Sequence, residues 1–285
     1  MKIYKIDPPE ILRQTSACPK ELYAVGNLAL LENHILVAIV GSRRATDYGL
    51  RNARSIAKSL AERGVVIVSG LALGIDAAAH RGALEAKGKT IAVLGSAIDR
   101  FEPRTNEQLA KSILLNDGLI LSEYPKGSQT FPTNFVLRNR IIAGLSLATV
   151  VIEAQEKSGA LITANLAAEY NRQVYSLPGD VDRLCSKGTN RLISQGATCL
   201  SDISILFEDL GLEENAQLEL NLNTDEKKLI SVIGQLALSF DRIIEESKLR
   251  PAEVLVILSA LELKNVVQKN SQGEYFLTTA IDSAK

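Results

Sequence analysis

Cysteine and histidine are scarce in this chain of 285 residues, and their scarcity excludes several chemistries at once. The three cysteines, Cys18, Cys185 and Cys199, are an odd number at unrelated spacings, which suits neither a disulfide framework nor a zinc site. Two histidines, His34 and His80, with no HExxH motif, leave little from which to build a metal centre on imidazole. No uncharged apolar run reaches about 18 residues, so no membrane span is expected. The opening stretch, MKIYKIDPPEILRQ, lacks the apolar core of a signal peptide, and a cytoplasmic location is the expectation. Also absent are the GxGxxG fingerprint of a dinucleotide site, the GxxxxGK[ST] loop of a P-loop NTPase and the GxSxG elbow of an α/β-hydrolase. Neither a cofactor nor a catalytic metal is expected.

What remains is ordinary globular material, 46% hydrophobic and 23% charged, long enough for one large domain and a small one. Charge is balanced overall but unevenly spread. Residues 1–210 hold 24 Lys and Arg against 21 Asp and Glu, and the remainder holds 8 against 12. Neither half has the strong basic excess common in nucleic-acid domains. A site for a polyanion therefore has to be a local patch.

From residue 35 onward, short β-branched runs alternate with helical ones: ILVAIV, YGLRNARSIAKSLAERG, VVIVSG, GIDAAAHRGALEAKG and TIAVLG, then LILSE, ATVVIEA and VYSLPG with helical segments between. Continuous apolar runs bounded by glycine are how strands buried on both faces read, and the helices have crossover length. The expected fold class is α/β, a Rossmann-like, doubly wound, mostly parallel sheet of about six strands over residues 35–211. Residues 1–34 read as an N-terminal extension wrapped on that domain. The polar stretch 212–224, LEENAQLELNLNT, reads as a linker, and 225–285, three helical periods and a hairpin, as a small C-terminal winged helix-turn-helix domain.

In such a sheet ligands sit beyond the carboxyl ends of the strands, so those loops carry the functional expectation. They are Gly41-Ser42-Arg43-Arg44, Ser69-Gly70, Gly95-Ser96, Ser122-Glu123, Lys157-Ser158-Gly159-Ala160 and Gly188-Thr189-Asn190. Backbone N–H groups at a helix start bind phosphate, and glycine lets the phosphate come close. A lone Ser42 or Ser158 is as readily a helix cap. The fourth strand leads into FPTNFVLRNRIIAGLS, residues 131–146. There Phe131 and Phe135 can stack on unpaired bases while Arg138 and Arg140 grip phosphates. On local sequence alone the rings can equally be core, with Arg138 paired to a carboxylate such as Glu123. Asp76 and His80, four apart on one helix face, read as a hydrogen-bonded pair within the helix rather than as acid and base. Glu123 and Glu153 lie at strand ends with no nucleophile beside them.

The ordered series VAIVGSRRATDYG, VVIVSGLALGIDAAAHRGAL, TIAVLGSAID, LILSEYP, FPTNFVLRNRIIAGLS, VVIEAQEKSGALITANLAAEYNRQVYSLPG and GTNRLISQGA resembles the DNA-processing protein A (DprA, or Smf) family over nearly all of residues 35–200. The resemblance implies a cytoplasmic bacterial homodimer, with no established catalytic role, that binds and protects single-stranded DNA and helps load the RecA recombinase during natural transformation. Carried over by position, the family's GSR block falls on Gly41, Ser42 and Arg43, its F…RNR block on Phe131, Phe135, Arg138, Asn139 and Arg140, and its SGALITA block starts at Ser158 and Gly159. Lys126, just ahead of the F…RNR block, and the Ser69-Gly70 loop are expected to add phosphate contacts.

Two departures stand out. Many members carry a longer N-terminal helical domain, where only about 34 residues precede the sheet here, and the third block reads GSAIDRFEP in place of a second glycine and a Tyr-Pro. In the winged helix, PAEVLVILSALELK offers Arg250 and Lys264 but no Asn, Gln or Arg in its middle to read base edges. Its acidic setting favours a protein-contact or dimer-stabilising role over duplex binding. The apolar positions of SDISILFEDLG are another candidate dimer surface. An enzyme reading stays open, a nucleoside-monophosphate hydrolase using Glu153, although EKSGALITA stands where such enzymes show a PGGxGT loop.

Overall fold

The structure is a computed structural model that describes residues 2–32, 34–212, 224–233, 237–263, 266–270 and 273–277. All but the two ends of the expected linker 212–224, together with Lys264, lie outside these residues. The chain divides into two compact units, Met1–Asp209 and Leu210–Lys285.

In chain order the first unit runs β1 (Tyr4–Ile6), α1 (Glu10–Arg13), β2 (Leu22–Gly26), β3 (Leu36–Val40), α2 (Asp47–Glu62), β4 (Val66–Ser69), α3 (Ile75–Glu85), β5 (Thr90–Leu94), α4 (Glu107–Leu115), β6 (Leu119–Ser122), α5 (Pro132–Leu137), α6 (Asn139–Leu145), β7 (Ala148–Val151), α7 (Gly159–Glu169), β8 (Gln173–Ser176), α8 (Lys187–Ser194), β9 (Thr198–Cys199) and α9 (Ile203–Asp209). Its nine strands form one sheet in the order β1-β2-β6-β5-β4-β3-β7-β8-β9. From β6 to β9 every neighbouring pair is parallel. The doubly wound α/β fold is as the alternating runs indicate, with more strands than the six expected. Residues 1–34 supply two of the extra ones: β2 runs antiparallel to β6, and β1 antiparallel to β2. Leu12 of α1 is fully buried in the same core and packs against Gly144, where a Cβ would lie 2.5 Å from its side chain.

Helices cover both faces, which is why β3 to β7 are buried at every position. The period of two sorts their side chains. Ile91 and Val93 of β5 join Leu12, Ile142 and Ala164 on the face under α1, α6 and α7, whereas Ala92 and Leu94 join Ala77, Leu109 and Ile113 under α3 and α4. The chain winds outward from β3 through β4 and β5 to β6, then crosses back to lay β7 against the other side of β3. The loops leaving β3 and β7 therefore diverge, opening a crevice at the carboxyl ends of these two strands.

The second unit contains α10 (Thr224–Ile233), α11 (Phe240–Ser247), α12 (Pro251–Leu263), β10 (Val267–Lys269) and β11 (Tyr275–Leu277). The two strands pair antiparallel, and Leu238 bridges to Tyr275. Leu229, Ile243, Val254, Leu258, Leu261 and Val267 form its core. Three helices closed by a small antiparallel ribbon make a winged helix-turn-helix. Among the described residues, no helix is long and apolar enough to cross a membrane.

Candidate functional site

The crevice at the β3/β7 switch point is a cleft of about 570 Å³. Its walls are the loop Gly41–Arg44 after β3, the loop from Gln155 to Gly159 after β7, and Arg138 and Asn139 at the junction of α5 and α6. Short polar residues fix these loops. Thr46 caps α2, its hydroxyl accepting from the Gly49 N–H at 3.3 Å. The Thr46 N–H and hydroxyl both donate to the Glu153 carboxylate. The Ser42 N–H donates to the Glu153 carbonyl at 2.8 Å, and the Ser42 hydroxyl accepts from the Arg44 N–H at 3.1 Å. Ser158 caps α7 by accepting from the Ala160 N–H. Gly74, at φ +76°, begins α3 against the Ser42 carbonyl, where a Cβ would lie at 2.2 Å, so only glycine fits this turn.

The floor is made of buried charge. Arg138 is 4% exposed. Its Nη1 donates to the carbonyls of Gly70, at 2.6 Å, and Val93, and its Nε donates to Asn139 Oδ1 at 3.2 Å. Gly70 lies flat against the guanidinium, and a Cβ there would lie 2.4 Å from Nη1. Burial pulls the Arg138 pKa down to about 10, with the charge of Asp76 opposing the shift. Asp76 is itself buried and accepts from the N–H groups of Gly70 and Ala72 at 3.1 and 3.3 Å. Burial raises its pKa, while Arg138 and those two N–H groups hold it back.

His80 does not pair with Asp76 as the helix spacing suggested. Asp76 turns to the backbone of the β4–α3 turn, and His80 turns to β5, with Nδ1 2.7 Å from the Thr90 hydroxyl. That hydroxyl donates to the Ile67 carbonyl at 2.7 Å, so the ring must donate to it through Nδ1. Burial depresses the His80 pKa to about 3, and the ring is neutral.

The rim differs in kind. Arg43, Arg44 and Lys157 are exposed and have no carboxylate partner among the described residues. Lys126 is exposed on the loop after β6. The Arg43 guanidinium stands 6.0 Å from the centroid of the Phe135 ring. Phe135 is half-buried over Gly95, where a Cβ would meet the ring at 2.7 Å, and Phe131 is 50% exposed at the start of α5. Gly159 opens onto the cleft, with only Asn139 Nδ2 as near as 3.9 Å to a Cβ built there. Asn139 donates to the Gly159 carbonyl at 3.2 Å and ties α6 to α7.

Four residues expected to touch phosphate are therefore placed differently. Arg138 is enclosed by carbonyls. Arg140 lies off the crevice and pairs with Glu123 at 2.5 Å, taking the carboxylate that sequence offered to Arg138. The Ser69 hydroxyl donates to the Ile39 carbonyl at 2.7 Å, and the Gly70 N–H is spent on Asp76. Arg44 and Lys157, which the motifs do not single out from the loops that hold them, both line the cleft. In the winged helix, Arg250 is paired with Glu253, and the exposed side of α12 carries Leu255, Val256, Ser259 and Glu262.

Against known proteins, the sequence profile of the DNA recombination-mediator protein A family matches residues 2–211. The chain belongs to this family. The profile of the DprA winged helix domain matches residues 213–273. Protein Smf of Synechocystis sp. is 47% identical over 208 residues, 72% of this chain and 52% of that protein. The X-ray structure of DNA processing protein A from Streptococcus pneumoniae superposes with a TM-score of 0.69 at 39% identity, covering 73% of this chain and 75% of that one. DNA processing protein A from Helicobacter pylori, whose structure was described for its single-stranded DNA binding mode, gives 0.68 at 34% identity over 74% and 96%. The chain spans about half the length of the first curated relatives it matches.

Proposed function

We propose that this chain binds single-stranded DNA along the carboxyl edge of its sheet, with the strand lying over the β3/β7 crevice. The observation that carries the proposal is the rim: three exposed cations, Arg43, Arg44 and Lys157, with no ion-pair partner among the described residues, and the Phe135 ring beside Arg43, with Phe131 half-exposed at the start of α5. Cations without carboxylate partners are available to phosphates, and a ring accepts any base face, so this combination holds a strand without reading its sequence. Ser42, the start of α7 at Ser158 and Gly159, and Lys126 extend the phosphate track. Arg138, Asn139, Ser69 and Gly70 act from behind it by fixing the loops. In this reading the chain protects the strand and presents it to RecA, and a homodimer places two tracks on one strand and raises avidity. The winged helix, with an apolar and acidic exposed side on α12, serves protein contact rather than duplex DNA.

A catalytic reading finds less support. Glu153, its base, is 2% exposed, and its carboxylate is bonded to Thr46. The strand-binding reading is tested by fluorescence anisotropy with a 20-nucleotide dT strand and a duplex of equal length, each across a salt series. The strand should bind far more tightly than the duplex, with log K falling by about 0.7 per neutralised phosphate per decade of salt. Preference for the duplex, or binding indifferent to salt, would sink it.

A further inference from the structure

A second cleft, of about 460 Å³, lies between α7 and α8 and adjoins the crevice through Lys157 and Ser158, which line both. We propose that this groove holds a further nucleotide of the bound strand, with its phosphate at Arg191 and its base against Leu161, Ile162 and Leu192. The inference rests on the strand-binding reading and deepens it, because that reading ends the track at the start of α7.

The winding of the sheet gives the groove its direction. Strands β7 and β8 are parallel neighbours, and α7 and α8 follow them, so both helices start at the carboxyl edge and run away from it. Ala160 and Ala164 of α7 share one core cluster with Leu192 of α8, which sets the two helices on the same face of the sheet. Helical spacing then turns two matched sides into the gap. Ser158, Leu161, Ile162 and Asn165 come from α7, and Gly188, Arg191, Leu192 and Gln195 from α8. A strand leaving the crevice past Lys157 meets Arg191 one turn inside α8.

The lining is the second argument. Lys157 and Arg191 are exposed and have no ion-pair partner among the described residues, and they stand against one carboxylate, Glu156. Arginine takes a phosphate in a bidentate fork. Ile162 is an apolar side chain left 39% exposed, with Leu161 half-buried and Leu192 buried beside it. Apolar surface of this kind suits the face of a base removed from its stack. The Asn165 and Gln195 side chains are exposed and make no hydrogen bond among the described residues. An amide both donates and accepts, so it can meet the edge of any base.

Size is the third. Sites that enclose a whole small ligand run from about 300 to 1,000 Å³, and this groove falls in that range, with room for a nucleotide rather than a bare ion.

The test measures anisotropy on the full chain with two labelled dT strands. One has 20 nucleotides, and the other about four, the lower limit of single-strand site sizes; the short one is held by the rim and stops before the groove. Arg191→Ala should weaken the long strand about tenfold, the effect of one hydrogen bond between charged groups. Its slope of log K against log salt should be shallower by about 0.7, and its urea midpoint unchanged. Arg191→Lys keeps the charge and should keep the slope. Asn165→Ala, which removes no charge, should weaken the long strand about threefold at an unchanged slope. Neither truncation should alter the short strand. Wild-type affinity for the long strand in either truncation, or equal losses on the two strands, overturns the proposal while leaving strand binding intact. Failure of the wild type to bind the long strand would remove the strand-binding reading and this one together.

Discussion

Arg138 and Arg43 line the same crevice and do opposite work. Arg138 is enclosed, with its Nη1 on the carbonyls of Gly70 and Val93 and Asp76 as its nearby counter-charge. Arg43 stands in solvent beside the Phe135 ring with no ion-pair partner among the described residues. A buried cation is tolerated only where acceptors replace its water, and once they do, the cation and its acceptors fix each other in place. An exposed cation is held by nothing comparable and contributes when an anion arrives. In this chain, then, the floor of the crevice is structural charge and the rim is the charge available for binding.

The strongest way to break that contrast is to truncate the floor. Arg138→Ala leaves two carbonyls without a donor and Asp76 without its counter-charge, which should cost about 3–5 kcal/mol of folding stability. A fall in the urea midpoint at unchanged m would register it. A midpoint equal to that of the wild type would move Arg138 out of the fold and into the binding set.

A pH series sharpens the contrast further. His80 binds a proton near pH 6.5 when unfolded but only near pH 3 when folded. Between those values the unfolded state holds more protons, so stability should decline as pH falls, by about 1 kcal/mol for each pH unit. Urea unfolding of the wild type and His80→Gln at pH 7 and pH 5 isolates the effect, and equal losses in the two proteins would contradict it.

The sequence carried the fold because β3 to β7 are apolar apart from Ser69, Thr90, Ser122 and Thr149 and are bounded by glycine or short polar residues. It missed β1 and β2 because strands of three and five residues, partly exposed, show too little of a period. That Arg43, Ser158 and Gly159 follow strand ends was legible too, but that their loops flank one crevice follows from the strand order, which the alternating runs do not give. Which arginine faces which way was not legible. Helix α5 ends at Leu137 and α6 starts at Asn139, and this junction points Arg138 inward while Arg140, two residues on, reaches Glu123. Such a turn depends on packing against Gly70 and Gly95, which are distant in sequence.

The most direct test of the central claim is the salt dependence of dT binding by Arg43→Ala, measured beside its urea midpoint. The account predicts an unchanged midpoint and a slope of log K against log salt that is shallower by about 0.7, the share of a single neutralised phosphate. An unchanged slope, or a loss of stability in its place, would show that the rim is part of the fold and that the strand is held elsewhere.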